Sequence, residues 1–418
     1  MLWALLVGEL IVLSIMAGLG DLRRHIPLYL VLFALAALFF AFAVWRTAET
    51  VLSLRIVLVA AIVLRVPMFF TEPSLSDDVW RYLHDGRAQL AGISPYAYAP
   101  NDPRTAPYRG PEFSRINHPD VTTIYPPFAQ MAFRLAAAFP APLVAWRLII
   151  LAAEIMLLCA AALLLGRRAY GNLALYAWHP LAITEGIGGA HLEPLAIALL
   201  VLAIAANTRA APVTAGVALA ASVATKLIAA PLILLTSSKR TLAAFALVLF
   251  AYMPFALTEP NARGTLSLFA QSWESNGSIF SIISTFVDGR SYRIAAAAVL
   301  LAGLWILRRR QMPLPDAAAA FFFAFFILAP VVHPWYLLWI LALLPLRKHP
   351  LDVVGAAALI WTITVVCAYT AHQQLLETQV WRIPTFMLMI EYVPVFALLV
   401  YATVRSRLSF RVLAMRYQ

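Results

Sequence analysis

The feature that most constrains this chain is a succession of apolar runs of membrane-crossing length, separated by short basic clusters. A crossing helix needs about 20 apolar residues, fewer where it is broken or enclosed by other helices. Runs of this kind fall near 2–20, 26–45, 51–70, 142–165, 172–187, 191–207, 241–257, 293–307, 316–330, 335–346, 352–370 and 383–404. In lipid, backbone polar groups must be satisfied within the segment itself, which makes the runs helical. The expected architecture is all-α: a polytopic transmembrane helix bundle of about 12 to 14 spans, some short or re-entrant. Composition agrees, with 63% of residues hydrophobic and only 12% charged, against roughly a quarter charged in soluble domains. A soluble enzyme, a disordered tail and a nucleic-acid binder are excluded, and membrane lipids are the expected surroundings.

The charges then orient the chain. Arg167-Arg168, Arg209, Lys239-Arg240, Arg308-Arg309-Arg310, Arg347-Lys348 and the C-terminal Arg405, Arg407 and Arg411 mark a cytoplasmic face, which accounts for the net charge of +11. This pattern implies a multi-pass protein of the cell (inner) membrane. The first 20 residues lack a basic leader and read as a retained first span. Counting back from Arg167 puts Arg23-Arg24 on the outer side. Residues 212–236 lie between two cytoplasmic clusters, so a single crossing there is inconsistent. Two half-helices or a re-entrant hairpin turning near Thr225-Lys226 resolve the conflict, and irregular backbone at that depth requires protein or water around it. Cys159 and Cys367 sit inside apolar runs and read as small core residues.

The external segments are residues 71–141, 186–191, 258–292, 331–334 and 371–382, on one continuous domain spanning 1–418. Residues 1–50 read as two extra N-terminal spans, 71–141 as a long extracytoplasmic loop and the candidate catalytic one, and 142–418 as the rest of the bundle. The long loop carries seven acids and six arginines with no lysine, and its prolines and tyrosines indicate an ordered structure. In Ser76-Asp77-Asp78-Val79-Trp80-Arg81-Tyr82, followed by His84, Asp85 and Arg87, the residues Asp78, Arg81, Tyr82 and Asp85 share one helical face. Ser76 suits the N-cap, and Asp77 and Asp78 would also serve as ordinary first-turn acids. A second cluster runs from Arg115 through Asn117, His118 and Asp120 to Tyr125; sugar binding and a plain turn are both open for it. Glu185, His191 and Glu193 surround one external turn, His333-Pro334-Trp335-Tyr336 opens a late span, and Lys226 stands apart from every cytoplasmic cluster. Ionisable residues at such positions raise a functional hypothesis by default.

The string SDDVWRYLHDGRAQLAGISPYAYAPNDP, with INHPDVTTIYPP after it, resembles the GT-C superfamily of integral-membrane glycosyltransferases. More narrowly it is similar to the polyprenyl-phosphate-mannose-dependent mannosyltransferases and to glycosyltransferase family 87. WHPLAITEGIGGAHLEPLAIAL, ASVATKLIAAPLILL and HPWYLLW extend the likeness over roughly residues 50–345. The resemblance implies a GT-C fold with an extracytoplasmic active site and an essential acid in the first large external loop. That acid corresponds to Asp78, with Asp77 as the alternative; the late-span histidine corresponds to His333, and the phosphate-side cation to Lys226. Where the family often shows a His-Asn/Asp pair, this chain has His191-Leu192-Glu193.

The reaction so implied moves a sugar, mannose in the related enzymes, from a polyprenyl-phosphate donor to an acceptor hydroxyl on a glycolipid or glycan. It is an inverting single displacement with a carboxylate base. Asp78, Asp77 and His333 are the candidate catalytic residues. Arg81, Tyr82, Asp85, Arg87, His118, Tyr125, His191, Glu193, Lys226, Trp335 and Tyr336 are the candidate substrate contacts, with Trp80, Tyr96 and Tyr98 as further stacking surfaces. No cofactor is expected and no ligand spacing supports a metal; Asp77, Asp78 and His118 are what folding would have to gather for one. Two other readings fit the sequence: a flippase or transporter of lipid-linked sugars, and a ligase or polymerase using pyrophosphate-linked glycans.

Overall fold

The computed structural model describes residues 1–47, 50–257 and 260–416, without the side chains of 252–264 and 406–416. Arg407 and Arg411 therefore fall outside the described side chains. The helices in chain order are α1 (Leu2–Gly18), α2 (Ile26–Thr47), α3 (Leu54–Phe69), α4 (Asp78–Leu90), α5 (Pro127–Ala137), α6 (Pro142–Leu164) and α7 (Ala174–Ala177). A π-helix (Ala182–Gly188) leads to α8 (Glu193–Thr208) and α9 (Pro212–Thr225). Next come α10 (Lys239–Leu257), α11 (Pro260–Ser272), α12 (Ser278–Ile283), α13 (Gly289–Arg309), α14 (Leu314–Leu328), α15 (Leu338–Leu343), α16 (Val353–Thr364), α17 (Thr370–Thr378) and α18 (Thr385–Arg416). Among the described residues there is no β-strand, only an isolated pairing of Ser275 and Asn276 with Val331.

Every expected apolar run is helical, but fewer are straight and full-length than the 12 to 14 spans expected. Among the described residues five segments are long and apolar enough to cross a membrane: Leu22–Thr47, Pro142–Leu164, Gly289–Arg309, Val353–Thr378 and Thr385–Arg405. The π-helix and α8 meet at a 113° bend and make a sixth if taken as one broken span. Leu2–Gly18, Pro212–Val223, Leu314–Leu328 and Pro334–Leu346 are apolar but shorter. Local sequence explains the interruptions: Pro180 and three glycines lie in the 180–189 stretch, and prolines frame 334–345. The break expected near Lys226 is present. Helix α9 stops at Thr225, Lys226 is extended (φ −149°, ψ 121°), and a 3-10 helix containing Pro231 follows over Leu227–Leu235.

The two ends of the bundle are distinct. At one end, Leu22 N donates to Ser74 Oγ, Arg23 pairs with Asp77, His372 Nε2 meets the Leu75 carbonyl at 2.9 Å, and the Thr122 and Thr265 hydroxyls lie 2.7 Å apart. The segments expected outside the membrane, the Arg23-Arg24 turn included, thus meet one another. At the other end Arg209 donates to the Leu163 carbonyl and Arg308 to that of Leu234, while Arg347 pairs with Asp316 and Asp352. Helix α6 joins the ends: its first turn touches the 187–190 turn and its last turn receives Arg209. At about 1.5 Å per residue that separates them by roughly 30 Å.

Within the long loop, α4 and α5 pack as a pair. A Cβ at Gly86 would run into the Phe133 carbonyl oxygen, so this close approach needs glycine. The Tyr82 ring stacks on Phe133 at 4.5 Å with 6° between planes. Residues Val79 to Gly86 are buried, so this helix is enclosed by protein.

Deep in the bundle Arg65 forks onto Glu154 at 2.7 and 2.9 Å and also donates to the Ala61 and Ala177 carbonyls. Tyr176 adds a hydroxyl donor to the same carboxylate at 3.1 Å. Breaking one side of a buried pair leaves an uncompensated charge, at a cost of about 3–5 kcal/mol. Glu154→Leu is expected to lower the thermal midpoint of the detergent-purified protein strongly, and Arg65→Met added to it to restore more than half of the loss. Equal midpoints for the single and double variants would show that the pair is not what is lost.

Candidate active site

Asp77 and Asp78 are neighbours with different surroundings. Asp77 occupies the position before α4 but makes no cap bond; the cap hydroxyl is that of Ser76, which accepts from Asp78 N at 3.3 Å. The Asp77 carboxylate instead takes Arg23 Nη1 at 3.2 Å, tying the first helix hairpin to the loop. Burial pushes its pKa up, and Arg23 and His372 pull it back. Asp78 has no arginine or lysine within 4.0 Å among the described residues, and its side chain is 25% exposed. Burial raises its pKa above the usual carboxylate range, Glu193 and Asp77 raise it further, and His191 and Lys226 oppose them.

Around Asp78 the fold gathers residues from four separate stretches. His191 Nδ1 lies 3.9 Å from Asp78 Oδ2, and His191 Nε2 lies 3.5 Å from Glu185 Oε2, which accepts the Tyr369 hydroxyl at 2.7 Å. The His191 imidazole stacks on Trp335 at 3.9 Å, and Trp335 carries His333 stacked at 4.5 Å. Lys226 pairs with Glu193, and its ammonium stands 4.4 Å from the centre of the Tyr336 ring. Tyr125 meets Tyr82 edge-on at 4.9 Å, and its carbonyl accepts the Tyr96 hydroxyl.

The turn that presents Glu185 and His191 leaves regular helical geometry. The π-helix ends at Gly188, and Ala190 has φ +54°, a left-handed conformation costly for alanine. Two neighbouring side chains from the start of α6 hold it. Trp146 Nε1 donates to the Ala190 carbonyl at 2.7 Å, and Arg147 donates to the carbonyls of Ile187, Gly188 and Phe69 at 2.7–2.9 Å. Gly189 leaves room for the imidazole, since a Cβ there would stand 2.8 Å from His191 Cδ2.

Other residues singled out in the sequence lie in separate networks. Arg81 bonds Asp85 at 2.8 Å, and Asp85 also accepts from Gln130, so both help to lock α4 onto α5. Arg87 pairs with Glu112. His118 is exposed, with φ +49°, and lies against Trp273 at 4.7 Å. The Trp80 ring is covered by the Arg115 guanidinium at 3.8 Å and that of Tyr98 by Arg104 at 3.9 Å. Among the described residues no three His, Cys, Asp or Glu side chains are grouped to hold a metal ion; Asp77, Asp78 and His118 face different partners. Sequence reasoning reaches Glu185 without giving it a role and misses Tyr369, Trp146 and Arg147. Arg147 was detectable as a charge in an apolar run; Tyr369 carried no signal before folding.

The chain matches the MptA_B family, alpha-(1->6)-mannopyranosyltransferase, N-terminal domain, over residues 6–239, more than half its length. It belongs to that family. The activity is therefore mannosyl transfer from a sugar donor to a glycan acceptor by a multi-pass membrane protein, as the resemblance in the first loop implied. The matched stretch contains Asp78, Glu185, His191, Glu193 and Lys226 and stops short of His333 to Tyr336 and of Tyr369. No curated protein and no solved structure matches the chain.

Gly189→Ala is expected to push the His191 ring out of line and lower transfer by about 10–100-fold, with a small change in thermal midpoint. Unchanged turnover would show that the ring's position does not matter to the reaction.

Proposed function

We propose that this mannosyltransferase takes its mannosyl group from a polyprenyl-phosphate donor, works at the extracytoplasmic face, and uses Asp78 as the base. The observation that carries the reading is the contrast between the two neighbouring acids: both are partly exposed, but Asp77 is held by Arg23, and Asp78 has no arginine or lysine in direct contact among the described residues. A base must keep a lone pair available for the acceptor proton, and a raised proton affinity suits that task. The acceptor oxygen attacks the anomeric carbon as Asp78 takes its proton. The bond from that carbon to the phosphate oxygen breaks, and its electron pair leaves with the polyprenyl phosphate. Lys226, poised between Glu193 and Tyr336, is the cation for the charge that develops there, with His333 nearby across Trp335. The family's description supports an alpha-(1->6) linkage in the product. The face is supported by the basic clusters, which gather at the opposite end of the bundle.

The test is transfer from radiolabelled polyprenyl-phosphate mannose to octyl α-mannoside by purified wild type, Asp78→Asn and Asp77→Asn. Loss of about 10²–10⁴-fold is expected for Asp78→Asn, with Asp77→Asn retaining most of its turnover at a lower thermal midpoint. The reverse order would move the role to Asp77, and full activity in both would remove the base assignment. The pH profile supplies a second check. The active form of Asp78 is the carboxylate, so turnover falls as pH drops through its raised pKa. That places the acid limb above the position an ordinary carboxylate of pKa about 4 would give. Lys226→Met removes a cation that opposes the shift, so the limb is expected to move to still higher pH while the donor KM rises. A limb that stays put, or moves down, would count against the pairing.

A further inference from the structure

Two buried histidines and two buried acids in this chain differ in a way that fold maintenance does not explain. His179 has both nitrogens engaged: Nδ1 accepts from Leu181 N at 3.0 Å and Nε2 meets the Thr362 hydroxyl at 3.1 Å. His191 is equally buried, at 0% exposure, yet neither nitrogen has a hydrogen-bond partner among the described residues. Its nitrogens face two carboxylates instead, Asp78 on one side and Glu185 on the other. The acids show the same contrast. Glu154 is fully engaged by Arg65 and Tyr176. Glu185 is as buried, has Oε1 without a partner, and meets no arginine or lysine among the described residues; its contacts through Oε2 are the Tyr369 hydroxyl and His191. Leaving buried polar groups unpaired is costly, and such groups in a native site call for a functional account. Catalytic hydrogen bonds are often long before substrate arrives and shorten in the reacting complex.

We infer that His191 and Glu185 form a proton-holding pair behind Asp78: His191 Nδ1 receives the proton that Asp78 has taken from the acceptor, and Glu185, hydrogen-bonded by Tyr369, holds the resulting imidazolium. This rests on the reading of Asp78 as the base. The balance closes without a further reactant. The acceptor O–H proton moves to Asp78, the new bond to the anomeric carbon forms, and the phosphate leaves with the electron pair of the broken bond. The proton then passes from Asp78 Oδ2 to His191 Nδ1, restoring the carboxylate while the products leave, and returns through Asp78, the partly exposed member of the group, to solvent before the next turnover. Net products are the mannosylated acceptor, the polyprenyl phosphate with one more negative charge than it carried as the ester, and one proton. The stack of His191 on Trp335 at 3.9 Å and 14° keeps the ring plane aligned between the two carboxylates. The titratable or charged groups around the pair are Asp78 from α4, Glu185 from the π-helix, Tyr369 from the turn before α17, Tyr29 from α2 packed against Tyr369 at 5.9 Å, and His333 across Trp335. Lys226, Glu193 and Asp77 act on Asp78 through space.

His191 and Glu185 are thus positioning residues that act through Asp78, and their signature lies in kcat and its pH dependence. Without the Glu185 charge the imidazolium loses its proton more readily. The proton is then passed on less readily and kcat falls; Asp78 also loses the negative charge of Glu185 beyond the ring, binds its own proton less tightly, and the acid limb of kcat moves to lower pH. Glu185→Gln is expected to lower kcat by about 10–100-fold with the donor KM within about twofold, and to move that limb downward. His191→Gln, which keeps an amide near the Nε2 position and loses the Nδ1 base, is expected to lower kcat at least as much. Tyr369→Phe removes one hydroxyl, makes Glu185 a poorer anion, and should move the limb in the same direction by less. It carries the test alone should Glu185→Gln not fold. Profiles of folded variants that keep the wild-type limb, or a change confined to KM, would overturn the inference. An inactive Asp78→Asn alongside such profiles leaves the base reading standing, and an active Asp78→Asn removes that reading and this one together.

Discussion

Inside a helix bundle, a chain that leaves the helical path exposes carbonyls that little else can satisfy, and Arg147 supplies the partners where this happens. Its guanidinium donates to the Ile187 and Gly188 carbonyls at the end of the π-helix and to Phe69 at the end of α3, and Trp146 beside it secures Ala190. A planar group with five fixed donors can bridge three carbonyls in this way; a lysine ammonium has a different reach and geometry. The strained turn with Ala190 at φ +54° persists because these bonds over-determine it. The site depends on that turn: Glu185 enters from one side, His191 from the other, and α8 departs at a steep angle with Glu193 at its first residue.

The acids at this end of the bundle and at the Arg65 pair divide by what answers their charge. Glu154, Asp85, Glu112 and Asp77 each have an arginine, and each joins elements distant in sequence or locks a loop. Asp78 and Glu185 have a histidine between them instead. A guanidinium is a permanent cation, whereas an imidazole gains and loses its proton near neutral pH. Pairing with arginine suits construction, and pairing with histidine leaves a proton to be moved. Lys226 completes the division: it reaches the same end of the bundle because α9 breaks there, and it is shared between Glu193 and the face of Tyr336.

Much of this was legible before folding. The apolar runs mark the helices, the prolines and glycines of 180–189 mark an interruption, and charge parity alone required a break near Lys226. The run of Asp78, Arg81, Tyr82 and Asp85 on one face was readable from spacing, but spacing could not separate their tasks. Arg81 and Asp85 bond each other four residues apart, while Asp78 faces His191, more than a hundred residues on. The difference in surroundings between Asp77 and Asp78 was likewise closed to the sequence, because it turns on Arg23, in a helix hairpin that reads as an addition to the bundle.

The sequence by itself determined that the protein is an all-helical membrane bundle, which stretches are its apolar helices, and which family it belongs to. These rest on hydropathy, on backbone hydrogen bonding in lipid and on one local motif, all properties of neighbouring residues. Only the tertiary structure decided which charges are neutralised and which remain available. That depends on contacts between Arg23 and Asp77, Arg65 and Glu154, Tyr369 and Glu185, and Lys226 and Glu193, each bridging more than thirty positions of chain. Charge in a low-dielectric interior is governed by what lies within a few ångströms, and that distance is set by packing.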